Sequence, residues 1–328
     1  MIEIFGLALQ CSMIALFVGG LYGWWRIGRN GFGNQHRHTG SFMRNLENVL
    51  PTVDQQRPTW TPADFLIAFG FRIALPLFLA SLLGVASPTN KKMDTPTLSV
   101  VEEEEAATVV REEATRDADR GQPQDQPSLV LTPTDLWIQL LAMFGSIVLT
   151  LSWLSILHRD SWRRIGFSTQ THLIKLGLKS TPIILSAVMV FSLLASAIVE
   201  YEHPVLESLL REQSFPFLLM TFAVTAIATP VFEEFLFRGL LQGSLQALAD
   251  SDPSTETWKP EALWPLLLTS GLFALMHLGQ GAAPIPIFIL SLGLGFLYRQ
   301  TGSLIPPIIV HMILNSVTLL DTLLTNSP

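Results

Sequence analysis

Residues 230–243 read PVFEEFLFRGLLQG, two glutamates and an arginine inside an otherwise apolar run that extends from about 215 to 247. On a helix, Glu234 and Arg238 stand four residues apart, share a face and can pair. Glu233 is rotated by about 100° from its neighbour and is left without that partner. An unpaired carboxyl in a low-dielectric setting holds its proton more tightly, which suits a general base. Ionisable groups at membrane depth are costly and mark candidate functional sites. The plainer alternative is a charge cluster at the end of a membrane helix, its stems snorkelling to the interface.

The rest of the chain agrees with a membrane setting. Only 14% of the 328 residues are charged, against roughly 25% in soluble domains, and the mean hydropathy is +0.41. Apolar spans fall at 4–25, 64–86, 135–157, 180–199, 215–247, 262–279, 283–298 and 304–324. Most approach the ~20 residues needed to cross ~30 Å of hydrocarbon. The expected fold is therefore all-α, a polytopic membrane protein of about eight transmembrane helices with an intramembrane cavity. The span at 215–247 is too long for one straight crossing, so it tilts, kinks near Pro230 or emerges into the interface. GQGAAPIP at 279–286 leaves almost no loop, which predicts a tight hairpin between the helices around it. The N-terminal apolar stretch has Glu3 and no basic flank, and reads as a first membrane helix rather than a cleavable signal. Cys11 is the one cysteine, so no internal disulfide can form.

Loop charges predict the orientation. Segment 26–59 holds Arg26, Arg29, Arg37, Arg44 and Arg57, and segment 158–179 holds Arg159, Arg163, Arg164, Lys175 and Lys179. Both read as cytoplasmic, with both termini on the other side. Segment 248–261 should also be cytoplasmic yet is mostly acidic, and acidic residues weigh little in this rule. Residues 87–133, including VEEEEAATVVREEATRDADRGQPQDQPS at 101–128, offer too little apolar surface to offset the entropy of ordering. They are expected to be a disordered loop; an acidic docking site is the alternative. The chain divides on this reading into an N-terminal region, 1–165, and a second unit, 166–328. A net charge of −7 does not suggest nucleic acid as a partner; a lipid bilayer is implied throughout.

Two more segments carry polar residues at membrane depth. GLFALMHLGQ at 271–280 places His277 at the end of an apolar run, one turn after Phe273. A lone histidine of this kind also serves as a hydrogen-bonded structural residue. SLIPPIIVHMILNSV at 303–317 places His311 and Asn315 four apart, on one helical face; an interhelical hydrogen bond is the plain alternative. If the long helix reaches the cytoplasm near 248 and the next enters near 262, Glu233 and His277 both lie roughly 22 Å deep, with His311 and Asn315 at roughly 10–16 Å. The groups can then converge in one cavity opening to the cytoplasm. Arg72, in the second span, reads as structural or snorkelling. HExxH, GxSxG and Walker A patterns are absent from the sequence, and Ser270, seven residues before His277, reads as packing.

These residues resemble the CPBP family, the CAAX proteases and bacteriocin-processing enzymes. Its motifs are matched in order by Glu233-Glu234-Phe-Leu-Phe-Arg238, Phe273-Ala-Leu-Met-His277 and His311-Met-Ile-Leu-Asn315, and TGSLIPPIIVH at 301–311 resembles the approach to the last of them. The resemblance covers roughly 170–325. It implies an intramembrane endopeptidase acting on a membrane-associated protein or peptide, in the cytoplasmic membrane of a bacterium. Glu233 and His277 would activate a water, His311 and Asn315 would stabilise the oxyanion, and Glu234, Arg238 and Phe273 would support them. No cofactor is implied by this mechanism; an alternative uses Zn2+ held by Glu233, His277 and His311. A non-catalytic scaffold or self-immunity protein with the same fold is the competing function. A solute transporter is a third, without inverted repeats or paired broken helices to support it.

Overall fold

The computed structural model describes residues 2–32, 50, 52–84, 132–158, 164–197, 214–250 and 257–325. Eight helices lie among them: α1 Ile2–Phe32, α2 Pro62–Leu82, α3 Pro133–Leu157, α4 Thr171–Ser196, α5 Phe215–Ala249, α6 Trp264–Leu275, α7 Pro284–Thr301 and α8 Ile305–Thr325. One antiparallel ladder pairs β1 (Gln55–Gln56) with β2 (Thr257–Trp258). Each apolar span of the sequence coincides with a helix, and the chain is an all-α, multi-pass membrane protein. Six helices are long and apolar enough to cross a bilayer. The 12 residues of α6 rise only about 18 Å, short of the hydrocarbon thickness. The expected acidic loop at 87–133 lies outside the described residues, except for Thr132 and Pro133 at the start of α3.

Local sequence sets the helix ends. Thr61-Pro62-Ala-Asp64 and Thr132-Pro133-Thr-Asp135 open α2 and α3 in the same way. Proline at the first turn sacrifices an N–H that has no helical partner. The aspartate turns back on the cap: the backbone N–H of Thr61 donates to Asp64 Oδ2 at 2.8 Å, and that of Thr132 to Asp135 Oδ2 at 2.9 Å. Asp64 also accepts from Trp153 Nε1 at 2.9 Å, tying the start of α2 to the end of α3. Gly302 ends α7 at φ 62, a left-handed cap that a side chain would strain.

The packing is inverted relative to a water-soluble bundle. Outward faces carry large apolar side chains such as Phe78, Phe144, Ile156 and Phe215, all exposed and suited to lipid. The centre belongs to α5, which packs against α2, α3, α6, α7 and α8. Its residues Glu234, Arg238, Gln242 and Gln246 repeat every four positions and are all buried, so the polar stripe of this helix faces inward. The stripe is met by small residues of α7. Arg238 Nη2 donates to Ser291 Oγ at 2.8 Å, and Gln242 Nε2 to the Gly295 carbonyl at 2.9 Å. A Cβ on Gly295 would lie 2.8 Å from Gln242 Oε1 and 2.9 Å from Leu266 Cδ1, so a larger residue would have to displace both side chains. Small residues and interhelical hydrogen bonds are what hold helices together where lipid competes for apolar contact.

Helix α5 bends its hydrogen-bond ladder rather than breaking. Two π-helical stretches, Ala223–Ala228 and Phe235–Gln242, flank the α-helical turn Thr229–Glu234. Pro230 accounts for the first of them, since it has no N–H for the ladder. With i→i+5 spacing the carbonyl left over is that of Thr225, and it accepts instead from Asn315 Nδ2 of α8 at 2.9 Å. Short π segments recur at functional sites, and here the two glutamates stand between a pair of them.

Candidate active site

Adjacent carboxylates on α5 have opposite surroundings. Glu234 is fully buried, and its Oε1 accepts from Arg238 Nη1 at 2.8 Å, as the i,i+4 spacing predicts. The same oxygen accepts from His311 Nδ1 at 2.8 Å. The sequence held no sign of this bond, because it joins residues 77 apart. Arg238 is itself buried, with its guanidinium carbon 4.6 Å from the centre of the Phe273 ring. Removing one partner from a buried charged set costs about 3–5 kcal/mol, so Arg238, Glu234 and His311 fix one another.

Glu233 lies outside that set. Its side chain is 22% exposed, and its Oε2 lies 3.7 Å from His311 Nε2, too long for a hydrogen bond. The carboxylate lines a cavity of about 260 Å³ together with His277, His311 and Asn315. All four residues of the expected catalytic set are thus brought to one cavity. Phe273 lines it as well, edge-on to Phe237 at 5.0 Å and to His311 at 6.0 Å. The ring separates the Arg238 guanidinium from the open side.

His277 sits differently from the expectation of a residue within a membrane helix. α6 ends at Leu275, and His277 belongs to the run of turns that leads to α7. Gly279 at φ 94 and Gly281 at φ 57 make those turns possible. The ring is held by its own preceding turn: Nδ1–H donates to the Phe273 carbonyl at 2.9 Å. That bond selects the tautomer whose Nε2 keeps a lone pair. Asn315 spends one amide hydrogen on Thr225 and keeps another for the cavity.

A second cavity, of about 510 Å³, adjoins the first and shares Glu233, His277, Gln139, Thr229, Phe273 and Gln280 with it. Arg72 of α2 lines this second space beside Glu233, with its guanidinium carbon 5.8 Å from the Phe232 ring centre. Sequence reading missed Gln139 and Gln280 as site residues and left Arg72 without a place. Each is an isolated polar residue with no motif of its own. Ser270 is buried on α6 and is not among the residues lining either cavity.

Glu233, His277 and His311, the residues of the alternative Zn2+ set, all line the 260 Å³ cavity. Among the described residues, no group of three His, Cys, Asp or Glu side chains is spaced to hold an ion.

Residues 215–317 match the family model described as Rce1-like, type II CAAX prenyl endopeptidase Rce1-like. The matched segment is of the CPBP family. It runs from the start of α5 to two residues beyond Asn315 and contains all three motifs. The family so described is one of CAAX-type endopeptidases, and the match covers 103 of the 328 residues. No curated protein and no solved structure matches the chain.

Proposed function

We propose that the protein is an endopeptidase that hydrolyses a peptide bond of a membrane-associated protein or peptide, with Glu233 as the base. A water held between Glu233 and Nε2 of His277 gives a proton to Glu233 while its oxygen bonds to the scissile carbonyl carbon. The carbonyl oxygen becomes an oxyanion. The second amide hydrogen of Asn315 and, when its ring is protonated, Nε2–H of His311 donate to it. As the tetrahedral intermediate collapses, the C–N bond breaks and the proton on Glu233 passes to the leaving nitrogen. A carboxylic acid and an amine remain, the acid then passing its proton to the amine to give a carboxylate and an ammonium, with Glu233 ready for another cycle. No step needs a metal or cofactor.

The observation that carries this reading is the division between the carboxylates. Glu234 is fully buried with Oε1 held by Arg238 and His311, whereas Glu233 faces the shared cavity with His277. Preorganised donors aimed at a developing oxyanion are among the largest catalytic effects, and Glu234 preorganises His311 by holding its Nδ1. The basic segments 26–59 and 158–179 support a cavity opening toward the cytoplasm. Residues 166–328 would form the peptidase unit, with α2 and α3 of the N-terminal region closing the cavity through Arg72 and Gln139.

Protein termini in membranes of cells expressing the wild type or Glu233→Gln give the test. A set of cleaved termini present with the wild type and lost with Glu233→Gln is expected. Identical termini in both strains would leave the scaffold function as the better account.

A further inference from the structure

A cavity of about 810 Å³ lies between α1, α4, α6 and α7 and shares no lining residue with the two cavities at Glu233. Its walls are apolar, from Trp24 and Ile27 of α1 through Ile183 and Phe191 of α4 to Leu266 of α6 and Phe296 of α7. Trp24 spends its indole N–H on the Ile183 carbonyl at 2.9 Å. Ser180 also lines the cavity, and its hydroxyl makes no hydrogen bond among the described residues. Along α4 the lining extends from Leu176 to Phe191, about 22 Å of helix, longer than the ~15 Å of hydrocarbon in one leaflet.

One end of this groove is basic. A Cβ on Gly20 would meet Pro182 and Ser186, and one on Gly23 would meet Ile183, so α1 and α4 run antiparallel. One further turn brings Ile27 beside Lys179. Arg26, Arg29, Lys175 and Lys179 are exposed there, within a turn of the lining residues Ile27, Leu176 and Ser180. None of the four makes an ion pair among the described residues. Arg29 lies over the Trp25 ring at 5.2 Å, an aromatic and basic pair of the kind that marks a membrane interface. Glu261, two residues before Leu263, is the acidic residue nearest the lining in sequence, so cations outnumber it. Residues 33–49, which lead from α1 to Leu50, have four apolar side chains (Phe42, Met43, Leu46, Val49) broken by Arg44, Asn45 and Glu47, a poor match to a continuous apolar slot.

We propose that this groove is a site for an anionic phospholipid of the bilayer. One acyl chain lies along α4, Ser180 Oγ donates to a glycerol ester carbonyl, and Lys175 and Lys179 hold the phosphate. The order of the groove, apolar slot, hydroxyl, then cations, is the order of a phospholipid from chain to head. Basic pockets between membrane helices recognise anionic head groups in this way. The lipid packs against α6 and α7, the two helices joined by the turns that carry His277, and so braces that hairpin from outside the site. Neither α1 nor α4 falls in the segment 215–317 that matches the family. The site does not depend on the endopeptidase function.

Native mass spectrometry of the purified full chain tests the site, with phosphatidylglycerol and phosphatidylcholine of identical acyl chains as the probes. The wild type should bind phosphatidylglycerol about 10–30-fold more tightly, at roughly 5-fold for each basic residue near a membrane surface. Lys175→Gln with Lys179→Gln should bring phosphatidylglycerol down to the level of phosphatidylcholine and leave the latter unchanged. Ala187→Phe, which fills the groove at a lining position, should weaken both lipids. Equal binding of the two lipids by the wild type would overturn the proposal, and so would a preference that survives loss of both lysines. Undiminished binding in Ala187→Phe would place the lipid outside the groove. Inorganic phosphate at fixed ionic strength should not displace the lipid; displacement would make this a free-anion site instead. A photoreactive acyl chain gives a test that needs no variant: phosphatidylglycerol carrying a diazirine should label α4 between Leu176 and Phe191 in the wild type, and labelling confined to other helices would contradict the site. Failure of the endopeptidase function shows separately, as termini that do not change in Glu233→Gln.

Discussion

The two sides of α5 around Glu233 and Glu234 are built on different principles, although they lie one residue apart. On the closed side, Glu234, Arg238, His311 and Ser291 are buried and hydrogen-bonded to one another. Charges removed from water and lipid in this way cannot lose a partner cheaply. On the open side, Glu233, His277 and Asn315 face a cavity and keep unused hydrogen-bonding capacity. Unused capacity in a packed protein is what a reacting molecule needs. The lesson is that motif residues divide by what they face: Glu234 Oε1 and Arg238 hold one another and the site, Glu233, His277 and Asn315 face the cavity, and His311 does both, with Nδ1 on Glu234 and its ring lining the cavity.

The contrast breaks most readily on the open side. His277→Ala should reduce turnover by about 10²–10⁴-fold, the usual contribution of a positioned acid–base group, with the thermal midpoint in detergent nearly unchanged. A large fall in the midpoint would place His277 on the closed side instead. Asn315 touches both sides. Asn315→Ala should lower turnover by about 10²–10³-fold if its free hydrogen serves the oxyanion. It should also cost stability of about 1–3 kcal/mol, because the Thr225 carbonyl loses its donor. Turnover at the wild-type level would leave only the structural bond.

Ser291→Ala probes the closed side alone. It removes a hydroxyl 2.8 Å from Arg238 Nη2, and unfolding in denaturant should become easier by about 1.5–3 kcal/mol, the range for hydrogen bonds to charged groups. Turnover per folded molecule should hold. A fall in turnover at constant stability would mean that the closed side acts in the chemistry. The smallest effect is expected from metal removal. Strong chelators should leave cleavage unchanged and the purified protein should lack stoichiometric metal; zinc at one per chain, with activity lost on removal and restored on addition, would contradict a metal-free site.

Much of this architecture was legible in the sequence because membrane helices announce themselves by apolar length. All eight helices lie where apolar runs predicted them, and the Glu234–Arg238 pair follows from helical spacing. Six rather than eight of the described helices are long and apolar enough to cross; α6 ends at Leu275, before the turns that carry His277, and α7 is the other helix outside the six. The remaining features depend on contacts between distant segments. Glu234 with His311, Asn315 with Thr225 and Arg72 beside Glu233 carry no local pattern. The repeated Thr-Pro-x-Asp at the starts of α2 and α3 is local, and capping chemistry alone could have fixed both boundaries.

The division between the glutamates is tested most directly by single-turnover cleavage, with Glu233→Gln and Glu234→Gln compared side by side on a substrate identified from the altered termini, normalised to folded protein. Glu233→Gln keeps the shape of the side chain and removes the base. Its rate should fall by about 10²–10⁴-fold at a wild-type thermal midpoint. Glu234→Gln leaves Arg238 without its counter-charge, so the midpoint should drop while the folded fraction cleaves faster than Glu233→Gln. Full activity in Glu233→Gln, with Glu234→Gln stable and inactive, would show that the base is Glu234 and that the roles of the two sides are reversed.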